Sequence, residues 1–200
     1  MEADLKGGHA RSRGDKPTKA GGKARSGKSA GAHDINEGLP NAVRRGRPAP
    51  KGRVEVIDLT HFGAVYRVDR SVRIDAIKRG VKADDFVRIA RFMDRSKEQL
   101  GKTLGLSITT IDRKAKAGEK LSPEQGERVV GMAKLIGQVQ TMVEESGDPT
   151  GFDAAQWLAR WLDEPLPALD GKRPAEYMDT AEGRDLVSNL LAMAQSGAYA

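Results

Sequence analysis

The sequence of 200 residues contains no cysteine. That excludes a disulfide framework and any thiolate-bound metal. The three histidines, His9, His33 and His61, are scattered and make no metal-ligand spacing. No metal and no cofactor are therefore expected. No apolar run reaches the roughly 18 residues that a membrane span needs, so no membrane contact is expected. The first residues lack the apolar core of a secretory signal, and a cytoplasmic protein is the expectation. There is no Gly-rich phosphate loop and no Ser/His/Asp arrangement. Asp163 and Glu164 are adjacent in sequence, so they diverge on a helix and cannot flank a substrate. No catalytic residue is named, and the chain is not expected to be an enzyme.

Positive charge, in contrast, is abundant and unevenly placed. Residues 1–53 carry 13 basic and 5 acidic side chains, and residues 67–120 carry 15 and 8. Residues 121–200 reverse the balance, with 6 basic and 13 acidic. One end of the folded chain thus suits a polyanion, and the other suits a protein partner.

The stretch Ser96–Gly118, SKEQLGKTLGLSITTIDRKAKAG, has the pattern of a helix-turn-helix. Ser96 is placed to cap a short helix whose Leu100 and Leu104 share a face. Gly101 is small where a second helix must approach. Gly105 sits at the turn, where a positive φ is needed. Leu106 plugs the turn, Ser107 is expected to cap the next helix through its hydroxyl, and Ile111 faces inward. Thr109, Thr110, Arg113, Lys114 and Lys116 are left outward. With Ser107 they are the candidate DNA-binding residues, because hydroxyls and cations near a helix start meet phosphates and base edges. The slot that would hold a further apolar anchor is occupied by Lys114, with Ala115 beside it. The alternative is a helical hairpin bearing solvated cations.

The rest of the chain reads as mainly α. Residues 1–53 form a basic tail of disordered composition. Its Arg44-Arg45-Gly46-Arg47 cluster serves either as a DNA-affinity arm or as a solubility tail. Residues 54–70 are richer in β-branched and aromatic side chains. They predict an extended segment or short hairpin, with strands at Val54–Ile57 and near Ala64–Val68. Residues 71–120 form the helix-turn-helix domain. Its preceding helix carries Phe86, Ile89, Ala90 and Met93 on one face. Residues 121–147 form a long linking helix, opened by Ser122, Pro123 and Gln125 and striped by Val129, Met132, Ala133, Ile136, Val139 and Val143. Gly126, Gly131 and Gly137 in it imply that another backbone comes close. Residues 148–200 form a small all-α domain. Asp153 caps its first helix, Trp157 and Trp161 are core residues, and Asp179-Thr180-Ala181-Glu182 suggests a capping box.

Several motifs in this last part act together. They are Trp157-Leu158, the run Leu166-Pro167-Ala168-Leu169-Asp170-Gly171-Lys172-Arg173-Pro174, then Asp179-Thr180-Ala181-Glu182-Gly183, and Gly197-Ala198-Tyr199-Ala200. With Leu121-Ser122 and Gly126-Glu127-Arg128 upstream, they resemble the Xre/MbcA/ParS-type antitoxins of RES–Xre toxin–antitoxin pairs. The resemblance runs from about Arg73 to Ala200. One departure is Asp170, where the family commonly has a second glycine. The resemblance implies an Xre-like helix-turn-helix that binds operator DNA and represses its own operon. It also implies a C-terminal half that binds a RES-domain toxin consuming NAD. By the same resemblance Gly197, Ala198, Tyr199 and Ala200 are the toxin-neutralising tail, obstructing NAD at the toxin's active-site entrance. A homodimer on operator DNA is expected, through the long helix or the last one. The alternative function is a stand-alone transcriptional regulator without a toxin partner.

Overall fold

A computed structural model describes residues 57–195. The basic tail 1–53, nearly all of the expected strand Val54–Ile57, and the residues Gly197, Ala198, Tyr199 and Ala200 lie outside the described residues. Within them the chain is helical, with an isolated antiparallel bridge between Lys82 and Lys120 and no strand. No helix there is long and apolar enough to cross a membrane.

Helix α1 spans Phe62–Arg67. It replaces the strand expected near Ala64–Val68. Phe62, Val65 and Tyr66 stand three and four apart, the spacing of one helical face, while the β-branched and aromatic composition of the run argues for a strand. A short apolar run cannot be assigned by periodicity alone. Packing decides the matter: Phe62 and Val65 are buried, and the Phe62 ring meets the edge of Phe92 at 5.5 Å. The C-terminal carbonyls of α1 are then closed by one side chain. Arg73 Nη1 donates to the carbonyls of Val65 and Tyr66, each at 3.0 Å, and also to Val68. Such carbonyls have no partner within the helix and carry its negative dipole end.

Arg73 belongs to α2, Arg70–Arg79, which has no buried residue. Helix α3, Ala83–Phe92, buries the anticipated Phe86, Ile89 and Ala90, with Met93 at its end. Helices α4, Lys97–Leu104, and α5, Ile108–Lys116, follow. Helix α6, Pro123–Ser146, starts with a complete capping box. Ser122 Oγ accepts from Gln125 N at 3.3 Å, and Gln125 Oε1 accepts from Ser122 N at 3.1 Å.

Helix α6 is no exposed connector. Val129, Val130, Met132, Ala133, Leu135, Ile136 and Val139 are all buried, in one core that also takes in residues of α3–α5 and of α7–α8. Its glycines differ in purpose. A Cβ on Gly137 would lie 1.9 Å from the Phe62 carbonyl oxygen, so α1 crosses α6 backbone to backbone there. At Gly126 and Gly131 the close neighbours are the side chains of Val81 and Arg184 instead.

Asp153 Oδ1 accepts from Gln156 N at 2.9 Å and opens α7, Ala154–Leu162. Two 3-10 turns, Pro167–Leu169 and Pro174–Tyr177, lead to α8, Ala181–Gln195. The capping box expected on Asp179 and Glu182 is not formed. Thr180 caps α8 instead, its Oγ1 accepting from Gly183 N at 3.0 Å. Moving the cap one residue along makes Gly183 the third helical residue. A Cβ there would lie 1.8 Å from the Tyr177 carbonyl oxygen, leaving no room for a side chain.

Replacing Gly137 with alanine tests the α1–α6 crossing. Helix propensity alone predicts a gain of about 1 kcal/mol. The carbonyl in the way predicts a loss of about 1–3 kcal/mol or more, as for other overpacked sites. A urea unfolding midpoint lower than that of the parent chain is the expected result.

Candidate nucleic-acid interface and its attachment to the C-terminal half

The turn between α4 and α5 is built as its sequence requires. Ser96 Oγ accepts from Gln99 N at 3.1 Å, and Gln99 Oε1 accepts from Ser96 N at 2.8 Å. Helix α4 ends at Gly105 with φ +60° and ψ +39°, the left-handed conformation. Leu106 N then donates back to Gly101 O at 2.8 Å. A Cβ on Gly101 would lie 2.2 Å from Ile108 Cδ1, so glycine lets Ile108 of α5 seat against α4 without shifting its side chain. Leu106 and Ile111 are buried under the turn.

Of the six candidate DNA-binding residues, Ser107, Thr109, Arg113 and Lys116 are exposed, while Thr110 and Lys114 are half-buried. Ser107 does not cap α5. Its hydroxyl instead accepts a long bond from Thr110 Oγ1 at 3.4 Å. Lys114 is not free to reach outward, because its Nζ donates to Lys120 O at 2.9 Å. Arg113 remains accessible, with only a 3.4 Å approach to the Glu119 carboxylate.

The sequence of α5 by itself anchors the helix weakly, and the structure supplies the missing anchors. Ile108 and Ala115 pack against the core. Lys97 of α4 pairs with Asp112 of α5. Together with the Lys114 and Arg113 contacts, these fix the roll of the helix, so Thr109, Arg113 and Lys116 share its open side.

Three arginines, of which only Arg128 belongs to a sequence motif, tie this unit, α6 and the C-terminal half together. Arg128 of α6 donates Nη1 to Leu104 O at 2.9 Å and to Gly105 O at 2.8 Å, closing the end of α4. Arg95 Nη2 donates to Ala159 O at 2.6 Å and pairs with Asp163 at 2.6 Å, closing the end of α7. Arg184 of α8 donates to Met178 O at 3.2 Å and to Glu127 Oε1 at 2.9 Å. Burial draws the Arg184 guanidinium below its ordinary pKa, and Glu127 opposes the shift. These contacts span 6 to 68 residues of sequence, too far for any local pattern.

In the C-terminal half, Trp157 and Trp161 stack at 6.1 Å with ring planes 13° apart, and Phe152 lies 6.2 Å from Trp157. Trp161 is buried and Trp157 half-buried, which fits core residues. The loop after α7 turns through Asp170 at φ +52° and Gly171 at φ +77°. Both are left-handed. Aspartate is among the few non-glycine residues that enter this region readily, so it can stand where glycine would serve. Among the described residues no group of three or more His, Cys, Asp or Glu side chains is placed to hold a metal.

Comparison with known proteins matches two parts of the chain. Residues 72–134 match the family model of the antitoxin Xre-like helix-turn-helix domain. Residues 151–197 match that of the antitoxin Xre/MbcA/ParS C-terminal toxin-binding domain. A protein of Sphingobium sp. (strain YBL2), described as a Prs ADP-ribosylating antitoxin, is 45% identical over 139 residues. That alignment covers 70% of this chain and 87% of the relative.

If Arg128 holds the turn, Arg128→Ala should lower the unfolding free energy by about 1–3 kcal/mol, the scale of losing charged hydrogen bonds. Lys97→Ala, which removes a half-exposed ion pair, should cost under about 1 kcal/mol. Urea titrations of the two variants measure the difference.

Proposed function

The chain belongs to the Xre/MbcA/ParS-type antitoxins, and on that premise we propose that it is an autorepressor that neutralises a RES-domain toxin. In this reading α5 enters the major groove of operator DNA upstream of its own operon. The observation that carries the DNA half is the exposure of Thr109, Arg113 and Lys116 along one side of a helix whose roll is fixed. Arginine in that position can bond bidentately to guanine, while lysine offers a point charge to phosphate.

The toxin is taken to consume NAD. The description of the Sphingobium relative, a Prs ADP-ribosylating antitoxin, favours transfer of ADP-ribose over hydrolysis. Neutralisation is assigned to Gly197, Ala198, Tyr199 and Ala200, which follow directly from α8. A helix held by Arg184 and by the Gln138–Ser188 pair is a rigid base for such a segment. Gln138 Nε2 donates to Ser188 O at 2.8 Å, and Ser188 Oγ donates to Gln138 Oε1 at 2.7 Å. A phenol aimed into a pocket shaped for a dinucleotide would exclude it sterically.

A second copy of the chain is the further partner, because helix-turn-helix units act in pairs on symmetric sites. Most of the α6 stripe is enclosed by the chain itself. Leu186 and Met193 of α8, 37% and 41% exposed, are better placed for the dimer contact.

Two measurements test this reading. In anisotropy titrations, Arg113→Ala should weaken operator binding by about 1–3 kcal/mol while sparing a shuffled duplex. Lys116→Ala should weaken both duplexes alike and flatten the salt dependence by about one unit. In co-expression with the toxin, a chain ending at Ser196 should fail to rescue growth. Equal rescue by the shortened and full chains would remove the terminal residues from the mechanism.

A further inference from the structure

The bridge between Lys82 and Lys120 is an electrostatic oddity. Ala83 N donates to Glu119 O at 3.1 Å, and Leu121 N donates to Val81 O at 2.7 Å. These bonds flank Lys82 and Lys120, making them the closely spaced, non-hydrogen-bonded kind of antiparallel pair. Side chains in such a pair lie on the same face with Cβ atoms about 4.5–5.5 Å apart, where like charges destabilise. Both lysines are exposed.

Nearby carboxylates are turned away from them. Asp84 and Asp85 face Arg88, and Glu119 faces Arg113. Among the described residues neither lysine has a carboxylate partner. Lys120 Nζ donates to Arg79 O at 2.7 Å, bending over Gly80, where a Cβ would come within 2.8 Å of its Cδ. That bond brings the end of α2 to the same corner, while Lys114 reaches the Lys120 carbonyl from α5. A short loop alone separates Lys116, the last residue of α5, from the bridge.

Folding has therefore set two exposed lysines without carboxylate partners beside the end of the recognition helix, and the one bond of Lys120 Nζ to Arg79 O leaves two of its three N–H groups for another acceptor. The bridge itself is made by backbone atoms and does not require lysine at position 82, whereas the Lys120 side chain also closes the end of α2. A polyanion lying along α5 would convert the repulsion into a shared contact. We propose that Lys82 and Lys120 form a clamp for the phosphate backbone of duplex DNA, supplying sequence-independent affinity next to the base-reading face of α5. The clamp rests on the DNA-binding reading of α5 given above. Because Leu121 and Ser122 lead directly into α6, the clamp grips DNA at the root of the helix shared by both halves.

The test uses the full chain, the Lys82→Gln/Lys120→Gln variant, and a charge-matched Arg160→Gln/Lys172→Gln control on the C-terminal half. Anisotropy titrations across a salt series are run with the duplex upstream of its own gene and with a shuffled duplex. Each phosphate contact contributes about 0.9 to the slope of log affinity against log salt. The bridge variant should lose about two units of slope on both duplexes, with the ratio of their affinities unchanged. Over a fourfold rise in salt the parent should lose about tenfold more affinity than the variant. The control should follow the parent. A separate readout is thermal: Lys82→Gln should raise the melting midpoint at low salt, an effect that fades as salt screens the repulsion. A bridge variant with the parent's slope, or a control that falls equally, overturns the clamp while leaving α5 as reader. A parent chain that binds no duplex overturns both.

Discussion

A long apolar stripe on α6 has to be covered, and two different parts of the chain cover it. Met132, Leu135 and Ile136 are each at most 1% exposed, and no single neighbouring helix encloses them. Helix α1 crosses one side through the gap at Gly137, α3 and the helix-turn-helix lie near its start, and α7 and α8 complete the enclosure. Burying side chains of this size is worth about 1.5–3 kcal/mol each. The driving force that folds the DNA-facing unit is thus the same one that folds the toxin-binding unit.

Around this apolar body the polar work is done mainly by arginine on carbonyl groups. Arg73 closes α1, Arg128 closes α4, and Arg95 closes α7. Each places a cation at a helix C-terminus, where unpaired carbonyls and the helix dipole both favour it. Their long stems reach from a neighbouring element, so each bond also fixes how two elements meet. Arg128 shows the consequence for function: its two acceptors are the carbonyls of the turn that orients α5.

Much of this was legible in the sequence, for local reasons. The turn at Gly105, the cap at Ser96 and the box at Ser122 and Gln125 all depend on residues within four positions of one another. The stripe of α3 has an unambiguous period. Helix α1 runs against its composition: the β-branched and aromatic residues suggest a strand, while Phe62, Val65 and Tyr66 share a helical face and contact with α6 decides. The cap of α8 was misplaced by one residue: Asp179 and Thr180 both suit that role, and the approach of Tyr177 O to Gly183 selects threonine. Among candidate site residues, Thr109, Arg113 and Lys116 point outward as expected, whereas Lys114 is drawn aside by a carbonyl six positions away. The arginine contacts were invisible for the same reason. Motif glycines and Asp170 stood out as a pattern, but their cause, backbone proximity or positive φ, is a matter of three dimensions.

The shared core also limits how one half can inform the other. A hinge between the helix-turn-helix and α7–α8 would have to part residues packed on α6 and break the bonds of Arg95, Arg128 and Arg184. Exposing even three of the fully buried α6 side chains would cost several kcal/mol, against the 1–3 kcal/mol typical of coupling between sites. Internal reorientation is therefore the expensive route. If two copies bind DNA through α5 as proposed, communication with a partner on the C-terminal half is more cheaply carried by rigid-body effects, in which one bound partner changes how the copies are spaced or which faces stay open. In the proposed dimer the distance between recognition helices, rather than the shape of either one, is the quantity a bound partner can alter.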